Sequence, residues 1–329
     1  MYWGGLGISL PSIAYSRASA MRKFLRNRGG CVVGVDRLGN NCAPRDKVLW
    51  LLRKYDRVGY IAGTNRSPQP RQVTIVTGLL PDEKGHLAGM ASTVDAAQAS
   101  LAPAGWGLSW IVIIDGRGAL PQVELPKGTK LERMADHAGR TACLNRAASL
   151  CHPSWVMALY PGDTLVAGGL CDLLTEPVLR GVKWCGGKVV LVGNRGTETV
   201  STVTPREWKR YELAENWTIP FAYHPATLIV RSQILLAAGG WPALTGSENL
   251  GLALNVSDLA DGVVTAHTIL RRQLPVVTAR SQGRRAVNRQ SAFATITAVL
   301  SARRSLEGMP GISPPKAARI SPPNGALPA

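Results

Sequence analysis

The chain has 329 residues, of which 45% are hydrophobic and 18% are charged, and its formal net charge is +17. This length and hydrophobic content suffice for one large domain or two smaller ones, each with a buried core. We predict no membrane span, because the most apolar long stretch, 225–244, is interrupted by Arg231 and Gly239-Gly240.

The positive charge is concentrated at the two ends of the chain. Residues 1–70 hold 12 Lys or Arg and 3 Asp, residues 271–329 hold 10 Lys or Arg and 1 Glu, and residues 71–270 hold 16 basic and 17 acidic residues. A nucleic-acid enzyme more often carries its basic face on the folded core, so nucleic acid is not the expected partner. Basic ends fit contact with an anionic surface, such as membrane or RNA, or solubility alone.

The cysteines and the start of the chain bear on the compartment. Six cysteines lie far apart, with no CxxC pair and no Cys/His cluster at zinc spacing. We therefore expect reduced thiols in a cytoplasmic protein. No signal peptide is predicted, because the charges follow the apolar start of the chain instead of preceding it.

Residues 1–70 are predicted to be an irregular, basic N-terminal extension whose role the sequence does not name. A helix is predicted at Ser12–Arg28, where Gly29-Gly30 would end it, and a shorter one at Arg45–Arg57. Docking of the Ser12–Arg28 helix on an anionic membrane, as a peripheral contact, stays an open alternative.

From residue 71 to about 275 the pattern predicts an α/β domain with two halves, 71–175 and 176–275. The predicted strands are 73–80, 110–115, 155–160 and one or two within 182–193, and the predicted helices are 87–101, 140–150 and 165–174. Continuous apolar runs that alternate with helices indicate a Rossmann-like, mostly parallel sheet with helices on both faces.

Beyond residue 212 the alternation of apolar runs and helical stretches is less regular. It predicts a short strand at 224–230, helices at 232–238 and 247–258, and a basic C-terminal helix at 276–305. The tail, 306–329, is rich in proline and is predicted to be disordered.

Ligands of open parallel sheets bind beyond the carboxyl ends of the strands. Three such ends are predicted, at Thr77-Gly78, at Asp115-Gly116 and at Asp163. A strand-end carboxylate followed by glycine can accept hydrogen bonds from a ribose or a base, and either acid can equally be a turn residue. The absence of GxGxxG after the first strand and of GxxxxGK[ST] anywhere disfavours dinucleotide and P-loop enzymes.

Five stretches, in this order, resemble motifs of the family 2 glycosyltransferases, which are inverting enzymes that use nucleotide-diphosphate sugars. They are VTIVTGLL (73–80), WIVIIDGRG (110–118), GRTACLNRA (139–147), ALYPGDTL (158–165) and HPATLIVRSQILLAAGGWPALTGSENLGLAL (224–254). The resemblance covers about residues 73–275 and implies the GT-A fold of nucleotide-diphospho-sugar transferases.

The resemblance also implies roles for particular residues. The leaving diphosphate needs a cation, Mg²⁺ or Mn²⁺, for which Asp163 is the expected ligand. The acceptor hydroxyl needs a base, for which Glu248 is the candidate. The expected nucleotide contacts are Thr77, Asp115, Gly116, Arg140 and Asn145, and the expected sugar or acceptor contacts are His224, Gly240 and Trp241.

Each of these residues has an ordinary structural alternative. Asp163 could cap the helix predicted at 165, and Glu248 could complement the dipole of its own helix. His224 could be a partly buried side chain bonded to backbone, and Trp241 could pack in the core. Arg140 and Asn145 could be plain helix-surface residues.

The sequence departs from the family pattern at several positions. Tyr160 and Gly162 stand where the family has Asp, Asn249 stands at the usual base, and Leu144 replaces a common Arg. A weaker metal site follows, with Asp163 as its one remaining carboxylate. The first interpretation is a metal-assisted hexosyltransferase acting on a small-molecule, lipid-linked or peptide acceptor. The alternatives are a degenerate relative that binds nucleotide or a partner without turnover, and an unrelated protein that binds nucleic acid through its basic ends.

Overall fold

The computed structural model describes residues 71–312, apart from gaps at 118–119, 167, 194–195, 204, 218–220, 245 and 275–278. At 177–180, 279–287 and 289 only the backbone is described. The chain divides into two units, one of Gln69–Leu300 with Ile312–Ala329 and one of Met1–Pro68 with Ser301–Gly311. The first unit contains the sheet and every residue discussed below.

The first half of the sheet is parallel throughout. Its strands are β1 (Gln72–Leu79), β2 (Gly107–Ile114), β3 (Thr129–Arg133) and β4 (Trp155–Ala158), in the spatial order β3-β2-β1-β4. All three pairings between these strands are parallel, so their carboxyl ends lie along one edge.

The second half extends the sheet across one antiparallel strand. Its strands are β5 (Asp163–Leu165), β6 (Trp184–Val192), β7 (Glu198–Val200), β8 (Arg206–Trp208), β9 (Ile229–Arg231) and β10 (Gly262–Gln273). The main order continues β4-β9-β6-β10-β5. β9 is antiparallel to both of its neighbours and β10 is parallel to β6, so β6 and β10 run in the same direction as β1 and β4.

Helices cover both faces of the sheet. In the described part of the chain they are α1 (Leu87–Leu101), α2 (Arg140–Ser149), α3 (Gly169–Arg180), α4 (Glu212–Glu215), α5 (Ser232–Ala237), α6 (Glu248–Ser257) and α7 (Ala279–Leu306). Short 3-10 turns lie at Pro81–His86, Ala102–Ala104 and Pro225–Thr227.

The apolar core lies in two layers, one on each face of the sheet. Alternate residues of β2 point to opposite faces, so Val112 and Ile114 join one layer while Ile111 and Ile113 join the other. The first layer packs against α1 and α3, and the second packs against α2, α5 and α6. The predicted α/β fold, with a mostly parallel sheet flanked by helices, is confirmed.

Several predicted elements differ from the observed ones. The helix predicted at 165–174 is wrong at its start, because Asp163–Leu165 pairs with β10 and α3 begins at Gly169. The strand predicted at 224–230 is reduced to β9, because a 3-10 turn occupies Pro225–Thr227 and a proline has no N–H to donate to a sheet.

The basic C-terminal helix predicted at 276–305 is confirmed as α7, whereas the strands β3, β5, β7, β8 and β10 were not predicted. β10 pairs with β6 through two register shifts, between Val264 and Leu270, and these interrupt the alternation that marks a strand in sequence.

Some predictions lie outside the described residues. These are the two helices of the N-terminal extension and the disordered tail beyond residue 312. The predicted domain boundaries stay predictions. Within the described part of the chain, no helix combines the length and the apolar character that a membrane crossing requires.

Candidate functional site

The turn that follows β4 places Asp163 opposite Arg272 of β10. The two residues are directly paired in the antiparallel ladder between β5 and β10. Arg272 Nε donates to Asp163 Oδ1 at 2.7 Å, and Arg272 Nη2 donates to Asp163 Oδ2. The Asp163 side chain is 2% exposed and that of Arg272 is 21% exposed. Burial is the largest single effect and lowers the pKa of Arg272, but the hydrogen bonds that Arg272 donates to Asp163, together with the negative charges nearby, outweigh it, so the pKa is raised.

A second guanidinium, that of Arg140, lies near the same turn and close to the end of β1. Arg140 is the first residue of α2, and its Nη2 bonds to Glu83 Oε1 in the 3-10 turn that follows β1. The guanidinium carbons of Arg140 and Arg272 lie 5.5 and 5.2 Å from the centroid of the Tyr160 ring. Tyr160 therefore links the two cations by cation–π contacts.

Tyr160 is also the partner of Asn249. The Tyr160 hydroxyl donates to Asn249 Oδ1 at 2.8 Å, and Trp241 Nε1 donates to the same oxygen at 3.0 Å. Burial, with the nearby charge of Glu248, raises the pKa of Tyr160 far above its usual value, so the phenol stays neutral. Tyr160 and Asn249, two positions at which the resemblance to glycosyltransferases would place acids, thus form one neutral hydrogen-bonded pair.

The Gly239-Gly240-Trp241 turn is held by Asn145 of α2. Asn145 Nδ2 donates to the Trp241 carbonyl at 2.9 Å, and the Trp241 N–H donates to Asn145 Oδ1 at 2.8 Å. A Cβ at Gly240, whose φ is +79°, would collide with Asn145 Oδ1. Asn145 therefore positions the turn, and Trp241, which is buried, presents no open face for stacking on a sugar.

Glu248 and His224 lie close to Arg272. Glu248 is the first residue of α6, and its charge helps to raise the pKa of Arg272. Its Oε2 is buried and has no hydrogen-bond partner among the described residues. His224 Nδ1 accepts a hydrogen bond from the Ala226 N–H, while burial and then the charge of Arg272 lower the pKa of His224 to about 4. His224 is therefore neutral at pH 7, with its proton on Nε2.

Asp115 lies at the end of β2 and is buried. Its carboxylate accepts hydrogen bonds from the N–H groups of Ala138 at 2.7 Å and Gly139 at 3.1 Å. His137 Nδ1 lies 3.7 Å from the same carboxylate, and a Cβ at Gly116 would overlap the His137 ring. The predicted nucleotide contacts Asp115 and Gly116 thus lie at the expected edge, where Asp115 is occupied by the loop before α2.

Thr77 lies away from this surface. It is fully buried within the sheet, where its hydroxyl donates to the Leu159 carbonyl at 3.0 Å and accepts from Trp110 Nε1 at 3.0 Å. Both hydrogen-bonding roles of the hydroxyl are therefore filled by the protein, and Thr77 takes no part in the site proposed below.

An open cavity of about 210 Å³ adjoins Asp163. It is lined by Gly85, His86, Gly89, Met90, Gly162, Asp163 and Thr164, from the end of the 3-10 turn, the start of α1 and the turn before β5. The cavity thus lies at the carboxyl ends of β1 and β4, where a parallel sheet binds its ligands.

The donor set at this turn does not suit a divalent cation. Within the described part of the chain, no three His, Cys, Asp or Glu side chains are grouped closely enough to hold a metal ion. Asp163 contributes the one carboxylate of the turn, and Arg272 engages both of its oxygens. Mg²⁺ or Mn²⁺ at Asp163, as expected from the sequence, stays a prediction that requires Arg272 to move.

Arg272 and Glu83 are the site residues that sequence reasoning missed. Glu83 follows the end of β1 and could have been found by the rule that selected the acids after the other strands. Arg272 is 109 residues from Asp163, and only the register of β5 on β10 brings them together. No local pattern marks that register.

No protein-family model matches the chain, and no curated protein matches it. Among solved structures it is similar to S. aureus TarS 1-349, with 12% identity and a TM-score of 0.45 over 61% of this chain and 60% of that one. The same TarS fragment in complex with UDP-GlcNAc has 11% identity and a TM-score of 0.47, over 64% of this chain and 60% of that one. In complex with UDP it has 12% identity and a TM-score of 0.42, over 62% of this chain and 60% of that one. The match thus spans less than two thirds of those TarS chains. Likeness at this level assigns neither a family nor an activity.

Proposed function

We propose that this chain is an inverting glycosyltransferase of the GT-A type, which moves a sugar from a nucleotide-diphosphate sugar to an acceptor hydroxyl. The observation that supports the proposal is one cluster at the carboxyl ends of β1, β4 and β10. It brings together two guanidiniums, a carboxylate with an oxygen that has no partner among the described residues, and a neutral histidine. Asp163, which pairs with one of the guanidiniums, also lines the neighbouring cavity. The acceptor is a small molecule, a lipid-linked sugar or a peptide.

In the proposed reaction the acceptor oxygen forms a bond to the anomeric carbon as the bond from that carbon to the diphosphate oxygen breaks. The nucleoside diphosphate leaves with the electron pair of the broken bond. The proton of the acceptor hydroxyl goes to Glu248, whose buried Oε2 is without a partner among the described residues. One displacement inverts the configuration of the sugar.

Glu248 is the proposed base also because its neighbour Asn249 cannot serve as one. An amide does not take up a proton at neutral pH, and Asn249 Oδ1 already accepts hydrogen bonds from Tyr160 and Trp241. Glu248 is the adjacent carboxylate. Neutral His224, which carries its proton on Nε2, is the proposed donor to an acceptor or sugar hydroxyl.

The sequence also leads us to expect that a metal ion assists the reaction, and this part of the proposal agrees least well with the residues of the site. When bound, Mg²⁺ or Mn²⁺ would neutralise charge on the leaving diphosphate. Its ligand Asp163 would first have to exchange Arg272 for the ion. We therefore derive no step of the reaction from a metal.

A panel of nucleotide-sugars, UDP-GlcNAc among them, tests the function by thermal shift with and without Mn²⁺ and by release of nucleoside diphosphate. The expected result is a raised melting temperature and slow release. Glu248→Gln should keep the thermal shift and lose the release, whereas Glu207→Gln, an exposed acid on β8, should keep both. If no nucleotide or nucleotide-sugar binds at millimolar concentration in either condition, the proposal is wrong.

The loss of acids at Tyr160 and Asn249 favours a second candidate, a protein of the same fold that binds nucleotide without turnover. In that case the panel would give thermal shifts and no release from any donor, and Glu248→Gln would change nothing. Nucleic-acid binding through the basic ends would instead appear as steep salt dependence, weakened on trimming residues 1–70, a change that leaves the sheet and α7 in place.

A further inference from the structure

We propose that Arg272 and Arg140 bind the diphosphate of the donor directly, so that a pair of guanidiniums takes the place of a divalent cation and Asp163 serves to position Arg272. This inference rests on the proposed function and deepens it. It assigns a metal-independent diphosphate site to Arg272, which the sequence did not reveal, and to Arg140, which was expected from the sequence to contact the nucleotide.

The first support is the geometry of Asp163. In an unoccupied metal site the carboxylate faces solvent or other oxygen ligands, whereas both oxygens of Asp163 accept hydrogen bonds from one guanidinium. A bidentate pair fixes the plane and direction of that guanidinium. The antiparallel register of β5 and β10 fixes the backbone beneath both residues, so the pairing is built into the sheet.

The second support is charge matching. A single carboxylate balances the single charge of a guanidinium, whereas a divalent ion at the same place would be half balanced. On the turn itself Tyr160 and Gly162 carry no charge, so Asp163 is its one carboxylate, while the other acids of the cluster, Glu83 and Glu248, lie on other elements. The turn is thus matched to a monovalent cation.

The third support is the donor capacity that remains. Among the described residues, the Arg272 side chain hydrogen-bonds only to Asp163, through two of its five N–H groups. Arg140 bonds to Glu83, and its buried Nε is without a hydrogen-bond partner within the described part of the chain. Guanidinium N–H groups match phosphate oxygens in fork geometry, which makes them suited to a diphosphate.

The fourth support is access. The side chains of Arg272 and Arg140 are 21% and 25% exposed, so a ligand can reach both guanidiniums from solvent. Asp163, the partner of Arg272, also lines the cavity of about 210 Å³ at the ends of β1 and β4. Arg140 approaches the same strand ends from α2, because its backbone packs on Gly78 at the end of β1. Tyr160 lies against both guanidiniums and sets their spacing.

The acids of the cluster make the proposal sharply testable. Glu83, Asp163 and Glu248 outnumber the two arginines, so Asp163 competes with a phosphate for Arg272. Asp163→Asn removes this competing charge, and its amide oxygen can still accept a hydrogen bond from Arg272. Diphosphate binding should therefore be kept or strengthened if Arg272 is the ligand, and should be abolished if Asp163 holds a metal. The two mechanisms predict opposite effects of the same substitution.

The experiment is calorimetric titration of the full chain with inorganic pyrophosphate, first in EDTA and then in Mg²⁺. We expect binding in EDTA, with affinity equal or higher in Asp163→Asn. Arg272→Gln and Arg140→Gln should each weaken it by about 10- to 100-fold, as expected for loss of hydrogen bonds from a charged group. Arg271→Gln and Arg146→Gln are matched controls, since both arginines are exposed neighbours paired with other acids, and they should leave binding unchanged.

Removal of Arg272 alone leaves Asp163 buried without its partner, so that variant is also made with Asp163→Asn. The double variant carries no buried charge at the turn and is expected to fold and still to lose pyrophosphate binding. Binding that appears only with Mg²⁺ and vanishes in Asp163→Asn would overturn the proposal, as would unchanged affinity in the double variant.

The outcomes separate this inference from the proposed function. Nucleotide-sugar binding that depends on metal and on Asp163 would keep the transferase and reject the arginine site. Metal-free pyrophosphate binding that depends on Arg272, with no response to any nucleotide-sugar, would keep the arginine site and reject the transferase.

Discussion

The Gly239-Gly240 turn offers a matched pair of substitutions that isolates the contribution of Asn145. The turn ends α5, with the Gly239 N–H bonded to the Leu236 carbonyl and the Gly240 N–H bonded to the Leu235 carbonyl. Both glycines have positive φ, +87° and +79°. They differ in surroundings, since a Cβ at Gly239 would meet nothing within 4 Å, whereas one at Gly240 would collide with Asn145 Oδ1.

The expected magnitudes follow from this difference. Gly239→Ala should destabilise the protein by about 1–2 kcal/mol, which is the penalty of placing an L-residue in the left-handed region. Gly240→Ala carries the same penalty and in addition displaces Asn145, which loses the two hydrogen bonds to Trp241. At about 1 kcal/mol for each bond, Gly240→Ala should destabilise by about 2 kcal/mol more than Gly239→Ala.

Urea unfolding of the two variants, each made in the native chain and in Asn145→Ala, forms a double-mutant cycle. In the Asn145→Ala background the excess for Gly240→Ala should disappear, because no side chain remains to be displaced. If Gly240→Ala is no more destabilising than Gly239→Ala in the native chain, Asn145 does not hold the turn and the reasoning fails.

Three further predictions concern titration and hydrogen bonding. His224 takes up its proton near pH 6.5 in the unfolded chain and near pH 4 in the folded one, so the free energy of unfolding should fall by about 3 kcal/mol in total as the pH falls between these values. His224→Asn keeps an acceptor for the Ala226 N–H and should remove that loss, which urea unfolding at each pH measures. Tyr160→Phe should lower the free energy of unfolding by about 1 kcal/mol, since Asn249 Oδ1 loses one donor, and a loss above about 3 kcal/mol would indicate a different role for the hydroxyl. Asp115→Asn should speed hydrogen exchange at the amides of Ala138 and Gly139, because a side-chain amide has a single acceptor oxygen for two donors, and unchanged exchange would contradict the bonding described.

The fold was largely predictable because its main signals are local. Apolar runs mark β1, β2, β4 and β6, and helical spacing marks α1 and α2, whatever the rest of the chain does. The edge strand β3 was missed because its side chains are half exposed and polar, with no apolar alternation to reveal it. β10 was missed because its register shifts break the alternation.

The site was predictable at the level of the sheet edge and unpredictable at the level of partners. Strand-end acids follow from the positions of the strands, whereas Glu248 was expected only from the resemblance to the glycosyltransferases. The partners do not, since Tyr160 and Asn249 are 89 residues apart and Asp163 and Arg272 are 109 apart. Such pairs depend on the register of strands and on helix placement, which no short stretch encodes.

The bond between Tyr160 and Asn249 sets the order in which acidic residues could be introduced at these two positions. Asn249→Asp keeps an acceptor oxygen for both Tyr160 and Trp241, so the pair survives the change. Tyr160→Asp made first would remove a donor and set a carboxylate against an amide oxygen. A laboratory lineage selected for acids at both positions should therefore acquire the change at 249 before the change at 160.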